Sequence, residues 1–403
     1  MTTPAVLPQN VLYVGLLFSL LVLPKILQRY GLPSAVTCFL LGVGAGAGLG
    51  ILRTDPVIEL LSTLGISALF LFAGLEVSLD DLERDGRLLA EHVVLRVIAV
   101  ALTTWFIASV LHLEARPAAL VALALLTPST GFILDSLPSW RLPDALARRI
   151  RAMAIGTEVV ALGLLFVVLK AGSFASLAAS GALLGVLVVA LPPLFRGFAR
   201  FVLPHAPRSE FSFLLMTAVA FALVTKQIGV YYLVGAFLVG IAAQRFRARL
   251  PSLGSERMLH GVEAFASVSV PFYFFHAGTR LQRDDLSAES LGLGICFLAV
   301  GVPLRLGSVI AHHQWRQAAR GWEALRLAAP LLPTLVFTLV LAGLLREQFG
   351  VNSPVFGGLV FYALGTTLVP PLLLKTPAPD FDTPEAPPLN GTPEPTETTP
   401  IRP

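Results

Sequence analysis

The chain has 403 residues, of which 55% are hydrophobic and only 13% charged, where a water-soluble globular protein carries about 25% charged residues. With a mean hydropathy of +0.77, this excludes a soluble domain and makes the chain an all-α polytopic membrane protein. The net charge of +4 is accounted for by membrane topology and calls for no nucleic-acid partner. The two cysteines, Cys38 and Cys296, both fall in apolar stretches and read as free thiols.

The opening MTTPAVLPQN has no positive n-region, and the apolar run behind it continues into a full span, so no cleaved signal is expected. Stretches of about 20 apolar residues fall at 8–27, 32–52, 57–77, 90–111, 117–137, 152–170, 173–195, 211–226, 229–244, 260–279, 290–311, 324–345 and 351–374. That makes 13 expected spans and puts the two termini on opposite sides. Lys and Arg alternate with them. The connections after the odd-numbered spans 1 to 11, with the adjoining span ends, hold 18 basic residues, against 7 for the N-terminus and the other six connections. The basic side faces the cytoplasm, so the N-terminus is expected outside and the C-terminus inside a bacterial-type inner membrane. After Lys375, residues 376–403 are rich in Pro, Thr and acids and bury little, as expected of a disordered tail. Asn390-Gly-Thr there matches a glycosylation acceptor only by chance.

The sixth span, AIGTEVVALGLLFVVL over 154–169, holds one acid, Glu158, well inside it. A carboxyl at that depth costs about 2.5–3.5 kcal/mol on insertion scales and is usually retained for a function. Ala154 and Ala161 flank it on its own helix face and permit close approach of a neighbour. Arg305 lies in span 11 at a similar depth. Glu158 and Arg305 therefore read as an ion site with its charge partner, or as a structural pair, or Arg305 as a snorkelling cation. Arg96, a few residues from a span end, reads as snorkelling.

An internal repeat is visible. Span 3 ends in FLFAG at 70–74 followed by Asp80-Asp81-Leu82, and span 10 ends in FFHAG at 274–278 followed by Asp284-Asp285-Leu286, an offset of 204. Pro128-Ser129-Thr130 in span 5 and Pro333-Thr334 in span 12 recur at an offset of 205. Repeat one then covers about 8–170, a link helix 173–195, and repeat two 211–374, together a membrane domain over 1–375. Because spans 3 and 10 run in opposite directions, the repeat is inverted, and inverted repeats with broken helices mark secondary transporters whose site lies at the repeat interface. The two prolines are otherwise ordinary kinks.

Five stretches carry a resemblance: YGLPS at 30–34 with LLGVG at 40–44, LGISALFLFAGLE at 64–76, PST at 128–130, GAFLVG at 235–240, and FYFFHAG at 272–278. Together they resemble the monovalent cation:proton antiporter superfamily, the Na+/H+ exchanger fold, in its Kef-type and NapA-type branch. The resemblance implies two crossed broken helices, a core domain moving like an elevator, a dimerisation domain and a homodimer. It also implies an ion-binding pair in the sixth span and a Lys or Arg in the eleventh. The sixth-span place here holds Thr157-Glu158, and Arg305 supplies the cation.

The expected function is exchange of Na+ or K+ for H+ by competition at Glu158, one for one and electroneutral. Ser129, Thr130, Thr157 and Thr334 would supply oxygens beside the breaks at Pro128 and Pro333. No cofactor is implied, and no metal beyond the transported cation. The alternatives are an organic-anion or other solute carrier with Arg305 as anion contact, and a non-transporting sensor or partner subunit with a permanent Glu158–Arg305 bridge. An embedded enzyme is not indicated, since no HExxH, GxSxG or paired intramembrane aspartates occur. Glu76, Asp80, Asp81 and Asp135 read as interfacial acids, Lys170 and Lys226 as anchors, and His276 as an interfacial histidine. Gly42, Gly44, Gly46 and Gly48 are expected to serve close packing.

Overall fold

The computed structural model describes residues 9–77, 86–206, 209–229, 232–246, 256–317 and 321–374. Asp80-Asp81-Leu82 and the tail at 376–403 lie outside them, as does the side chain of Asp135. The described chain is helical throughout: α1 (Gln9–Gln28), α2 (Ser34–Val43, continued by a wider turn at Gly44–Gly48), α3 (Pro56–Leu75), α4 (Gly86–Leu111), α5 (Ala115–Leu126), α6 (Thr130–Ser136), α7 (Asp144–Lys170), α8 (Phe174–Gly197), α9 (Glu210–Gln227), α10 (Tyr232–Phe246), α11 (Glu256–Thr279), α12 (Ala288–Gln317), α13 (Gly321–Ala328), α14 (Leu335–Phe349) and α15 (Ser353–Leu374). Without water in the bilayer, helices satisfy their own backbone groups, which is why so apolar a chain takes this form.

Among the described residues, ten helices are long and apolar enough to cross a membrane, and Ser34–Gly48 and Leu233–Phe246 are shorter apolar helices. Helix α11 is not among the ten; its first turns carry Arg257, His260 and Glu263. Helix α7 starts eight residues before the apolar stretch expected at 152, because a helix need not end where the hydrocarbon does. The basic residues Arg148, Arg149 and Arg151 thus sit on the helix itself.

Burial separates centre from periphery. In the 18-residue apolar windows of Ala115–Leu134 and Glu323–Phe349, 94% of the residues are buried, against 11% in those of Asn10–Gln28, Val93–Leu111 and Phe174–Val202. The two central stretches are the ones with breaks. Thr127 leaves the helical region (ψ 123°) ahead of Pro128, as proline dictates for the residue before it. The second break runs through a 3-10 turn at Ala329–Leu331 to Pro333, and α14 starts after Thr334. A smaller apolar core of Ile133, Ile150, Met153, Val309 and Leu327 joins α6, α7, α12 and α13 at one end.

Glycines set the closest helix contacts. Gly42 of α2 lies against Phe275 and Gly278 of α11, and Gly74 of α3 against Phe237 and Gly240 of α10. A Cβ on Gly42 would stand 2.0 Å from the Phe275 carbonyl oxygen, and one on Gly46 2.3 Å from that of Thr279. The expectation of close packing holds for Gly42 and Gly46; Gly44 and Gly48 have nothing within 4 Å and are not contact positions.

Candidate functional site

The site is built where the two breaks meet. Ser129 donates its backbone N–H to the Pro333 carbonyl at 2.8 Å, and Thr338 Oγ1 donates to the Ala124 carbonyl at 2.7 Å. Each break leaves helix-end carbonyls without intrahelical partners, and the bilayer offers no water to replace them. The protein closes them with side chains. Arg305 on α12 donates through Nη1 to Leu332 O at 2.7 Å and through Nη2 to Leu331 O. Arg96 on α4 donates through Nη1 to Leu126 O at 3.2 Å. Tyr362 on α15 donates to Leu125 O at 2.6 Å and lies 3.4 Å from Arg305 Nη1. A guanidinium suits this place because cations are favoured at helix C-terminal ends.

Glu158 projects from α7 toward the first break and is 1% exposed. Thr130, the first residue of α6, acts on its carboxyl through hydroxyl and backbone N–H. Yet Glu158 Oε2, Thr130 Oγ1 and Ser129 Oγ have no hydrogen-bond partner of normal geometry. Ser129 and Thr130 are themselves 1% and 0% exposed. Three buried oxygens, one on Glu158 and two on the successive residues Ser129 and Thr130, thus keep bonding capacity left over. Thr157 turns its hydroxyl back to Met153 O at 2.8 Å. Thr334 Oγ1 lies 3.0 Å from Thr366 Oγ1, a buried hydroxyl pair at the second break.

Of the residues singled out from sequence, Glu158, Ser129 and Thr130 gather at one place, and Pro128, Pro333 and Thr334 form the breaks around it. Arg305 stands at the second break but makes no ion pair with Glu158 among the described residues. The expected charge partnership is therefore not a contact in this conformation: the Arg305 guanidinium bonds carbonyls instead. Arg96 is 6% exposed and hydrogen-bonded inside, which corrects the reading of it as a snorkelling side chain. Tyr362, Thr338 and Thr366 were not singled out from sequence. Arg96 alone had a usable signal, since it occupies span 4 as Arg305 occupies span 11, seven spans on.

Away from the breaks, the acids and bases play structural parts. Glu76, at the end of α3, lies 3.4 Å from Arg151 on α7. Lys170 donates to Ile228 O at 2.6 Å. Asp285 is fully buried and held by both Nη atoms of Arg346. Arg346 also lies over the Phe356 ring at 3.4 Å.

The model of the family described as "Sodium/hydrogen exchanger, transmembrane" matches residues 15–378. "Probable Na(+)/H(+) antiporter 3" of Methanocaldococcus jannaschii is 23% identical over 376 residues, 88% of this chain and 92% of that protein. "Na(+)/H(+) antiporter NhaS5" of Synechocystis is 27% identical, covering 94% of this chain but 56% of that protein. The solved sodium proton antiporter MjNhaP1 of Methanocaldococcus jannaschii, at pH 8, superposes with a TM-score of 0.64 at 14% identity, covering 92% of this chain and 97% of that one; the likeness is one of fold. The family model covers most of the chain, and the fold is of the same kind: the chain belongs to the sodium/hydrogen exchanger family, whose members are membrane transporters and not enzymes.

Proposed function

We propose that the chain exchanges a monovalent cation, Na+ or K+, for H+ across the cytoplasmic membrane, with Glu158 as the shared binding group. The observation that carries this is the Glu158 carboxyl, 1% exposed, with Thr130 of the first break against it and Oε2 without a hydrogen-bond partner. An isolated carboxylate in a low-dielectric interior is strongly disfavoured. Such a group crosses the membrane loaded, holding either a proton or a metal ion, and competition for one carboxyl gives obligatory exchange. Both loads carry one positive charge, so the exchange is one for one and electroneutral. Thr157, whose hydroxyl turns back to Met153 O, and Thr334, paired with Thr366, would have to reorient to add oxygens to the site, and Arg305 balances charge through the second break without touching the ion.

The finer architecture is part of the same proposal: 13 spans, N-terminus outside and C-terminus inside, forming two inverted six-span repeats with a link helix between. Three matched pairs support the repeats. Gly74 meets Gly240 as Gly278 meets Gly42, Arg96 meets the first break as Arg305 meets the second, and Pro128 pairs with Pro333. The buried centre and the two breaks fit an elevator motion of a core domain against a dimerisation domain in a homodimer.

An organic-anion carrier would use Arg305 as its anion contact, but both Nη atoms of Arg305 already bond carbonyls. A non-transporting sensor with a permanent Glu158–Arg305 bridge lacks that bridge. The test is a panel of Na+, K+, Li+ and Rb+ added to proteoliposomes holding a pH gradient and a pH-sensitive dye. Cation-dependent dequenching supports exchange; dequenching by none of the four removes the proposal.

A further inference from the structure

We propose that Arg96 is a second positioning residue of the exchange site, holding the first helix break as Arg305 holds the second. The proposal rests on Glu158 being the exchange group, and its placement part stands apart from that. Arg96 is 6% exposed in a span otherwise turned largely outward. Among the described residues no carboxylate pairs with it, and its hydrogen bond goes to Leu126 O, the last residue of α5. Arg305, of like charge, and Tyr362 lie within electrostatic reach of it. Tyr362 in turn bonds Leu125 O and Arg305. A continuous polar chain thus runs from Arg96 through the α5 end and Tyr362 to Arg305 and the carbonyls of Leu331 and Leu332.

What Arg96 positions follows from the backbone. Leu126 is followed at once by Thr127-Pro128-Ser129 and by Thr130, whose hydroxyl and N–H face Glu158. A carbonyl left without a donor at Leu126 would be free to turn, and the break would lose its fixed exit toward α6. Ser129 and Thr130 would then be presented to the ion less accurately, weakening binding more than turnover. Because Arg96 uses one nitrogen on one carbonyl, a lysine can replace it. Arg305 uses two nitrogens on two carbonyls, so a lysine cannot fully replace it.

The test compares full-length wild type with Arg96→Gln, Arg96→Lys, Tyr362→Phe and Arg305→Lys. It measures KM and Vmax for the cation in proteoliposomes, and amide hydrogen exchange over residues 127–131 in detergent. Losing the donor should raise KM about tenfold in Arg96→Gln with Vmax changed less than about twofold, and should speed exchange at Ser129. Arg96→Lys should return both values to near wild type, and Arg305→Lys should not. Unchanged KM and unchanged exchange in Arg96→Gln would overturn the proposal, as would a loss of melting temperature and Vmax with KM untouched. Should Arg96→Gln not be recovered folded, Tyr362→Phe decides: a shift of KM and exchange in the same direction supports the clamp, and wild-type values overturn it. If wild type moves no cation while protection at Ser129 still depends on Arg96, the exchange reading fails and the positioning stands.

Discussion

Ser129 and Pro333, 204 residues apart, are joined by a backbone hydrogen bond of 2.8 Å. Each lies in the break of a different span, so the two breaks cannot shift independently. The site is therefore one object built from two halves of the chain, and a change at either break is expected to be felt at Glu158.

Arg305→Ala should be the most damaging change at the second break. It leaves the carbonyls of Leu331 and Leu332 buried without donors, at about 1–3 kcal/mol for each unsatisfied group. Melting temperature in detergent should fall, and exchange should drop more than about tenfold. A variant with wild-type melting and wild-type exchange would show that these carbonyls find other partners.

Gly278→Ala should destabilise the packing of α2 on α11. Its Cβ would stand 2.2 Å from the Phe39 carbonyl oxygen, and backbone cannot give way as a flexible side chain can; overpacking of this kind costs about 1–3 kcal/mol. Gly44→Ala is the control. It meets nothing within 4 Å, so its stability should stay level or rise by at most about 1 kcal/mol of backbone entropy, seen as a level or slightly higher melting temperature.

Asp285→Asn should cost about 3–5 kcal/mol, the usual penalty for removing one partner of a buried ion pair. Asp285 is fully buried and Arg346 only one-quarter exposed, so little solvent remains to take over. The pair ties the turn after α11 to α14. The effect should appear in thermal stability first and in the KM for cation little, because the pair touches none of the oxygens around Glu158.

The helices, the positions of both breaks and the buried acid were legible in the sequence because each follows from local chemistry. Apolar runs make spans, Pro128 and Pro333 cannot continue a helix ladder, and Glu158 is conspicuous in hydrocarbon. The direction of the Arg305 guanidinium was not legible. A sequence displays carboxylates as partners for arginines, whereas the partners here are carbonyls of Leu331 and Leu332, groups every residue has and only a break makes available. Tyr362 was hidden for the same reason: its partner, Leu125 O, lies 237 positions away. Arg96 was missed, because its depth pointed to snorkelling, although its place in span 4 matches that of Arg305 in span 11.

On the proposed mechanism Glu158 takes up either a proton or a metal ion. Glu158→Gln keeps the shape and removes the charge, so the variant should insert and melt near the wild-type temperature. Reconstituted into proteoliposomes with a pH-sensitive dye, it should show no cation-dependent proton movement at any pH where wild type is active. Exchange by this variant at the wild-type rate would exclude Glu158 as the exchange group.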